Sequence, residues 1–600
     1  MTAKKALIDF EGRVDRHIVA LPICSLSARA FLAGLHRYLF QFRNANVQGL
    51  TEIPGMADRF VTRLSALIGI IVNLPNAPSR ESASDMIETF QAADPDGRQF
   101  TQLLSYMAFS ETMPEVHKNL YDITDDGVTF ELKHHTSASA DFEARDILLS
   151  ELALVFPLAE TRKLDPELDT LAAMAPEHDA VLVEALLKRK MLRLLGGMAE
   201  PNLVTEAGMR NIFGFKYRTF YLIRTALLAY AEFCAEMGWS LALRDGVKGS
   251  SEETLEWISV SYNAETFIDL LVTLSQTKRT QVERMLELLS IDFRRTPARH
   301  HGGDGFFPPF ARFDDFFVFS PELVMTQTHL RNLVSAFIIE QAAKVKEGEA
   351  QQTDRSNRTR KDRPKSKFDT HVSKDLEPVL IGQAQALFLN SGAWKVKPNV
   401  KFRNGGDVGE LDLIVAGPRG PVLLIQAKGM LPPHGARLTR NLADQMKKGL
   451  AQIRSFRDLP IDVQERIASR AVGRPVAHAD IRHSLLARAC FGTPDIVTPG
   501  LDVSLVTLPM LSLALGKMRA EADPIDVDTL VARVTEVELA FLEAAAPKWS
   551  QMPFTVSDRQ IVQPRLDFDD RAVDVWRRIS WEDSVIMPAD PVMRPKPSKT

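Results

Sequence analysis

The sequence predicts a multidomain protein in which a mostly α-helical N-terminal region precedes a C-terminal α/β domain with a mixed central sheet. Apolar residues recur at helical spacing up to about residue 345, as in residues 181–197. After residue 369 the pattern changes to helix, strand, strand, helix, strand, which is typical of an α/β fold. Between the two parts, residues 344–367 contain a single aliphatic side chain larger than alanine, Val345, and many cations. We therefore expect residues 344–368 to form a basic linker.

These patterns give four segments along the chain. Residues 1–343 form an α-helical region of unknown function with room for two subdomains, and residues 369–520 form the α/β domain. Residues 521–600 are predicted to be a C-terminal helix followed by a tail. Within the first segment, a Phe-rich stretch at 294–323 is expected to be a loop packed by its own aromatic side chains.

Two short signals predict helix ends in the same region. Gly238 follows a helical run and is expected to end it, because glycine is the usual residue just after a helix. Ser250 and Glu253 have the spacing of a capping box, which predicts that a helix begins at this point.

The net charge of −4 hides a strong asymmetry along the chain. Residues 1–343 carry 34 basic and 45 acidic side chains, whereas residues 344–520 carry 29 basic and 17 acidic ones. A cationic segment inside an otherwise acidic protein is what a binding surface for a polyphosphate would require, although solvated surface is its commoner role.

Several classes of protein are excluded or disfavoured. Cys24, Cys234 and Cys490 lie too far apart for a disulfide framework or a cysteine-rich zinc site. The N-terminus has no signal-peptide pattern and the longest apolar run is too short to span a bilayer, so we expect a cytoplasmic protein with no membrane partner. The sequence has no G-x-x-x-x-G-K-[ST] motif, which excludes a P-loop ATPase.

Two predicted strands, at 410–416 and 422–428, carry the most informative polar residues. Glu410 and Asp412 share one face of the first strand, and Gln426 and Lys428 share one face of the second. A five-residue loop, 417–421, would place Asp412 opposite Gln426, whereas a four-residue loop would place Ala427 there. The two Gly and two Pro residues of the connection favour the longer loop, or a bulge that corrects the register.

These polar groups need partners, because burying them at strand ends is costly unless they are paired. A divalent cation held by the carboxylates, with the ammonium group beside it, would satisfy them together. A helix predicted at 373–391, which tolerates Pro378 only in its first turn, adds Glu377 at the head of its apolar stripe.

A helix with a glutamate, a strand with an aspartate and a strand ending in x-x-Lys follow one another in this order. The segment thereby resembles the PD-(D/E)xK nuclease superfamily, whose members have the restriction-endonuclease-like fold. The residues that carry the resemblance are Glu377, Asp412 in GELDLIV, and Gln426 and Lys428 in LLIQAKG. Gln426 stands where the family usually has Asp or Glu, a variant similar to that of the Mrr-like restriction nucleases. The resemblance covers about residues 369–520.

The resemblance implies a Mg²⁺- or Mn²⁺-dependent endonuclease that hydrolyses DNA phosphodiester bonds in restriction or genome defence. Asp412, Gln426 and Glu377 would hold the metal, and Glu410 would compensate for the weaker oxygen ligand that an amide provides. Lys428 would orient the attacking water and stabilise the transition state.

Alternatives remain for both the function and the residues. A DNA-repair or junction-processing nuclease fits the same residues, as does an inactive nuclease fold that binds nucleic acid or acts as a scaffold. An ordinary apolar hairpin with an Asp412–Lys428 salt bridge is the structural alternative. On a predicted helix at 438–458, the cations Arg440, Lys447, Lys448 and Arg454 could contact DNA phosphates, although a solvated helix face is more usual. The N-terminal helical region is a candidate surface for homo-oligomerisation.

Overall fold

The computed structural model describes residues 2–47, 63–76, 82–117, 119–159, 180–197, 202–244, 251–294, 306–337, 372–404, 407–431, 436–496 and 501–568. The predicted basic linker, residues 344–368, lies outside these ranges.

The helices of the first half are α1 (Ala3–Val19), α2 (Ala28–Val47), α3 (Ile68–Ile71), α4 (Ala83–Ala93), α5 (Arg98–His117), α6 (Ser137–Ala159), α7 (Ala180–Gly197), α8 (Glu206–Phe213), α9 (Tyr217–Arg244), α10 (Glu252–Ile258), α11 (Ala264–Ser275), α12 (Arg279–Leu288) and α13 (Pro321–Gln327). Those of the second half are α14 (Glu377–Ser391), α15 (Ala436–Arg457), α16 (Ile461–Val472), α17 (Leu508–Ala520) and α18 (Val527–Ala545).

The strands are β1 (Tyr121–Asp125), β2 (Thr129–His134), β3 (Val260–Asn263), β4 (Ser290–Asp292), β5 (Phe310–Phe313), β6 (Phe316–Phe319), β7 (Lys395–Asn404), β8 (Asp407–Ala416), β9 (Val422–Lys428), β10 (Ile481–Ala487), β11 (Ser504–Thr507), β12 (Lys548–Val556) and β13 (Arg559–Asp567).

The C-terminal half is built on a five-stranded mixed sheet with the strand order β11-β10-β9-β8-β7. β8 is antiparallel to both of its neighbours, β7 and β9, whereas β10 and β11 run parallel to β9. The helices α15 and α16 connect β9 to β10, because parallel neighbours need a long crossover. The predicted combination of N-terminal helices with a C-terminal mixed α/β sheet is confirmed.

Helices cover both faces of this sheet, as expected for strands that are apolar on both sides. The helices α14, α17 and α18 pack on one face, where Leu413 and Ile425 are buried. The helices α15 and α16 pack on the other face, which buries Ile414 and Leu424. Both faces of the sheet are therefore covered by apolar side chains.

The N-terminal region also contains a sheet that the sequence analysis did not predict. Its order is β3-β6-β5-β4, and β5 and β6 form a hairpin inside the stretch that was expected to be a loop. The loop prediction is wrong at 310–319 because aromatic side chains favour strands as well as loops. The predicted aromatic packing is present, because Phe310 contacts both Phe317 and Phe319 within the stretch. All three rings also contact Phe267 of α11.

A third sheet joins the two ends of the chain, with the order β1-β2-β13-β12. The helix predicted at the start of residues 521–600 is α18, but β12 and β13 lie in the part expected to be a tail. β13 pairs with β2 in parallel, from Gln560 with Thr129 to Val562 with Glu131.

The largest apolar cluster contains residues from both halves of the chain. Phe220 and Phe267 of the N-terminal helices belong to the same cluster as Met446 and Leu450 of α15. The N-terminal helices therefore pack against the helix that follows β9. None of the helices in the described ranges is long and apolar enough to cross a membrane.

Candidate functional site

The register of β8 and β9 brings the predicted polar residues together. Leu413 pairs with Ile425 and Ala416 pairs with Val422, so the connection is residues 417–421. The five-residue loop expected from the sequence is confirmed. Continued by one residue, this register places Asp412 opposite Gln426.

Asp412 interrupts the ladder of β8 at this point. Its Oδ2 accepts hydrogen bonds from the backbone N–H of Ala427 (2.7 Å) and from Nε2 of Gln426 (2.6 Å), so the carboxylate acts where a backbone carbonyl would normally accept. Leu411 and Leu413 belong to clusters on opposite faces of the sheet, although residues two apart normally share a face. A local irregularity at Asp412 thus turns its carboxylate toward β9.

The neighbouring strand is irregular at the same level. Asn399 of β7 lies between the pairs Pro398–Leu413 and Val400–Leu411, which places it beside Asp412, and its φ of 54° is left-handed. Non-glycine residues seldom adopt this conformation, and such backbone strain is concentrated at functional sites.

Glu377 and Lys428 form the second pair of the site. Nζ of Lys428 donates a hydrogen bond to Oε1 of Glu377 at 3.1 Å, and the two side chains are only 6% and 20% exposed. Glu377 is the first residue of α14, and Pro378 lies in the first turn, as predicted. One π-helical turn, Val372–Leu376, precedes it, a feature that is frequent at functional sites.

Two glycines that the sequence analysis did not use make this arrangement possible. A Cβ atom on Gly429 would lie 2.7 Å from the Leu376 carbonyl, so any other residue would push α14 away from β9. A Cβ atom on Gly449, within α15, would lie 3.2 Å from Cε of Lys428. Both glycines can be recognised in the sequence, because Gly429 directly follows Lys428 and Gly449 lies inside an amphipathic helix.

Burial and two neighbouring carboxylates make the ionisation of Asp412 unfavourable. Burial raises the pKa of Asp412 to about 6, and the charges of Glu377 and Glu410 add to the effect, while Lys428 and the Ala427 N–H oppose it. Glu410 is therefore near enough to interact with Asp412. A group of three acids with one ammonium group favours the binding of a cation.

Gln426 leaves an oxygen without a partner. The residue is 1% exposed, its Nε2 binds Asp412, and its Oε1 is buried with no hydrogen-bond donor. Nothing in the described ranges donates a hydrogen bond to Oδ1 of Asp412 either. A buried acceptor without a donor is costly and needs an explanation, and a bound cation would provide one.

Protein carboxylates and histidines alone do not complete a metal site here. In the described part of the chain, no group of three or more His, Cys, Asp or Glu side chains is arranged to hold a metal ion. A site at Asp412 would therefore need the amide oxygen of Gln426 as a ligand, and the metal remains a prediction.

The cations predicted to contact DNA lie on α15. Lys447, Lys448 and Arg454 are exposed, opposite the buried stripe that contains Met446, and the side chain of Arg440 lies outside the described residues. A different set of cations was missed: the edge strand β7 exposes Lys395, Lys397, Lys401 and Arg403. Lys401 pairs directly with Glu410 in the register, which places it at the side of the site.

Comparison of the chain with protein-family models, with curated protein sequences and with solved structures finds no match. The resemblance to the PD-(D/E)xK nucleases rests on the residues and geometry described above.

Proposed function

We propose that this protein is a metal-dependent nuclease that hydrolyses DNA phosphodiester bonds, with a role in restriction or genome defence. The observation that carries the proposal is the meeting of Asp412 of β8 with Gln426 and Lys428 at the end of β9 and Glu377 at the start of α14. Two hydrogen bonds link them in pairs, between Gln426 and Asp412 and between Lys428 and Glu377.

The residues fit a divalent cation. Oε1 of Gln426 is buried without a donor, and both donors to Asp412 reach Oδ2, which leaves its Oδ1 for a ligand. Glu377 contributes a further carboxylate, and Glu410 adds negative charge nearby. Mg²⁺ prefers oxygen ligands of this kind, and Mn²⁺ accepts them as well. When bound, such an ion neutralises charge on the phosphoryl oxygens and lowers the pKa of a coordinated water.

The residues of the chain have distinct parts in the proposed reaction. Oδ2 of Asp412 is fixed by two donors, which leaves Oδ1 for a ligand. The aliphatic part of Lys428 packs beside Gly449, and its Nζ bonds Glu377 in a side chain that is only 6% exposed. The exclusion of water strengthens the attraction of this ammonium group for negative charge that develops in the transition state.

DNA is favoured as the substrate by the distribution of charge. Residues 344–520 carry 29 basic and 17 acidic side chains, and the edge strand next to the site exposes only cations among its charged residues from 395 to 403. Lys401 and Arg403, which lie on the Glu410 side of Asn399, are assigned to DNA phosphates.

The second candidate is a nuclease fold that binds nucleic acid without cleaving it. It is favoured by the neutral Gln426 and by the absence of a group of three acidic or histidine ligands within the described residues. In this case the Lys428–Glu377 pair would be purely structural.

A cleavage assay separates the two candidates. The full-length chain is incubated with plasmid, single-stranded DNA and RNA in Mg²⁺, in Mn²⁺ and in chelator, beside the variants Asp412→Asn and Asp480→Asn. Asp480 is an exposed aspartate beyond the opposite end of β9, at the start of β10, so its variant makes the same charge change away from the site. We expect DNA cleavage that depends on metal and on Asp412 but not on Asp480. Nucleic-acid binding without cleavage in either metal would favour the second candidate.

A further inference from the structure

Arg488 is a buried cation that has no acidic partner among the residues described above. It directly follows β10, whose last residue, Ala487, pairs with Lys428 of β9. The residue is 8% exposed, and its guanidinium group donates only to neutral oxygens: Oε1 of Gln383 (3.2 Å) and the carbonyl of Leu376 (3.4 Å). Its Nε has no hydrogen-bond partner, and no carboxylate in the described ranges forms an ion pair with it.

A buried arginine without a counter-ion lowers the stability of the folded protein. Burial lowers the pKa of Arg488 to about 10, so the group is still charged near neutral pH. A buried charge without a counter-ion costs stability, and an apolar side chain of similar volume is often neutral or stabilising in its place. Arg488 therefore needs an explanation other than the stability of the core.

Both hydrogen bonds of Arg488 reach the helix that carries Glu377. Leu376 ends the π-helical turn and immediately precedes Glu377, and Gln383 lies two turns further along α14. Gly429, which directly follows β9, packs closely against the same Leu376 carbonyl. The ends of β9 and β10 thus fix the first turn of α14 from two sides, and with it the position of the Glu377 carboxylate.

The N-terminal region reaches the same turn. Nε2 of Gln383 donates to the carbonyl of Asn202 (3.1 Å), and Oγ1 of Thr205 donates to Oδ1 of the buried Asp375 (3.2 Å). Thr205 is also the N-cap of α8, and a Cβ atom on Gly208 would collide with Asp375. Residues 202–208 therefore contact both flanks of the Leu376–Glu377 segment.

From this network we infer that Arg488 is a positioning residue for Glu377, and that residues 202–208 extend the support into the N-terminal region. This inference rests on the proposed nuclease function. Arg488 does not touch the reacting atoms; it holds the helix that presents Glu377 to Lys428 and to the metal position. The N-terminal region then contributes to the site by holding α14, although its own net charge is negative.

The test compares the full-length wild type with Arg488→Met, Arg488→Lys and Arg224→Met. Three quantities are measured: the thermal midpoint, deuterium uptake by residues 372–383, and the dissociation constant for Mn²⁺ from electron paramagnetic resonance. Arg224 is another buried arginine, on α9, and serves as the matched control.

For Arg488→Met we expect an unchanged or higher thermal midpoint, faster deuterium uptake at 372–383, and Mn²⁺ binding weakened by about tenfold, as for other groups that orient metal ligands. Arg488→Lys should lie between the methionine variant and the wild type. Arg224→Met should leave the Mn²⁺ affinity and the uptake at 372–383 unchanged, whatever its effect on the midpoint.

Thr205→Val extends the test to the N-terminal contact and should change uptake and Mn²⁺ affinity in the same direction, to a smaller degree. The inference is overturned if Arg488→Met leaves the uptake at 372–383 unchanged, or if midpoint and metal affinity fall together as in a general loss of folding. A wild type that binds no Mn²⁺ would instead overturn the proposed function, and deuterium uptake would still decide whether Arg488 holds the helix.

Discussion

Asp412 and Asp146 are two carboxylates that meet the same penalty in different surroundings. Burial raises the pKa of each to about 6, and each accepts two strong hydrogen bonds with a backbone N–H among the donors. Asp146, on α6, receives one donor on each oxygen, from the N–H groups of Phe491 (2.6 Å) and Gly492 (2.7 Å). Asp412 receives both donors on Oδ2.

The two carboxylates differ in how their donors are distributed over the two oxygens. Each oxygen of Asp146 has a donor from the loop that follows β10, so Asp146 anchors the N-terminal helix α6 to that loop. Asp412 takes both donors on Oδ2, and Oε1 of the neighbouring Gln426 is buried without a donor. Raised pKa values alone would not distinguish these two residues, whereas the assignment of donors to individual oxygens does.

The largest expected effect is on cleavage. Asp412→Ala and Lys428→Ala should each reduce the rate by about a hundredfold or more, because each removes a group that stabilises charge in the transition state. Asp146→Ala, assayed well below its thermal midpoint, should cleave at nearly the wild-type rate. Gel-based rates on one plasmid substrate measure all three variants.

The same variants also differ in DNA binding. Without metal, Asp412→Ala should bind duplex DNA as well as the wild type or better, since a repelling carboxylate is gone, whereas Lys428→Ala should bind slightly more weakly. Full cleavage by the Asp412 or Lys428 variant would show that the chemistry lies elsewhere in the chain.

Stability should respond in the opposite order. Asp146→Ala leaves two buried N–H groups without acceptors and should destabilise the protein by about 2–4 kcal/mol. Asp412→Ala also leaves two donors without an acceptor, but it removes a carboxylate that Glu377 and Glu410 repel, so we expect a smaller loss of stability. Thermal midpoints in chelator measure the difference, and a larger loss for Asp412→Ala would contradict the comparison.

The pH dependence of metal binding gives a further contrast between Asp412 and Asp146. The pKa of Asp412 in the folded protein, about 6, is above the ordinary value for an aspartate, 3.8, so the folded state takes up a proton as the pH falls through 6. Because metal and proton compete for the carboxylate, Mn²⁺ affinity should be level above pH 7 and fall by up to about tenfold per pH unit below 6. Titrations between pH 5 and 8 measure this, and Asp146→Asn should show the same profile as the wild type.

The smallest expected effect concerns DNA binding along β7. Lys401→Ala/Arg403→Ala should lower the slope of log affinity against log salt by about 1.8, the value for two lost phosphate contacts. Lys395→Ala/Lys397→Ala removes the same charge from the same exposed strand on the other side of Asn399 and should change the slope less. Equal slopes for the two double variants would assign the DNA to another surface, such as Lys447, Lys448 and Arg454 on α15.

The pairing within the site was predictable because it depends on short-range rules. Strand alternation and a five-residue loop fix the register of β8 and β9, and a proline in the first turn fixes the start of α14. The break at Asp412 could not be predicted, since it depends on a left-handed Asn399 in another strand. Arg488 and Asp146 were missed because their partners lie 112 and 345 positions away in the chain.

The errors in the N-terminal region have similar causes. Gly238 does not end a helix: α9 continues to Arg244, and a Cβ atom on Gly238 would lie 3.3 Å from Cβ of Trp257, so the glycine serves the close approach of α10. The predicted capping signal at Ser250 is displaced by one residue, since Ser251 accepts the hydrogen bond from the N–H of Thr254. Local signals identified the right residue types but not the tertiary contact or the register.

The parallel pairing of β2 with β13 has a consequence for the order in which the protein is made. Thr129 and Gln560, which face each other in this sheet, are 431 positions apart. At a translation rate of 5–20 residues per second, the β1–β2 hairpin waits roughly 20–90 s on the ribosome for its partner strand. A hairpin of two strands is marginal alone and has an open edge that can pair with other chains. Chains that stop before residue 548 would keep this edge open, and Phe130 and Leu132, buried in the finished sheet, would make such products prone to aggregate.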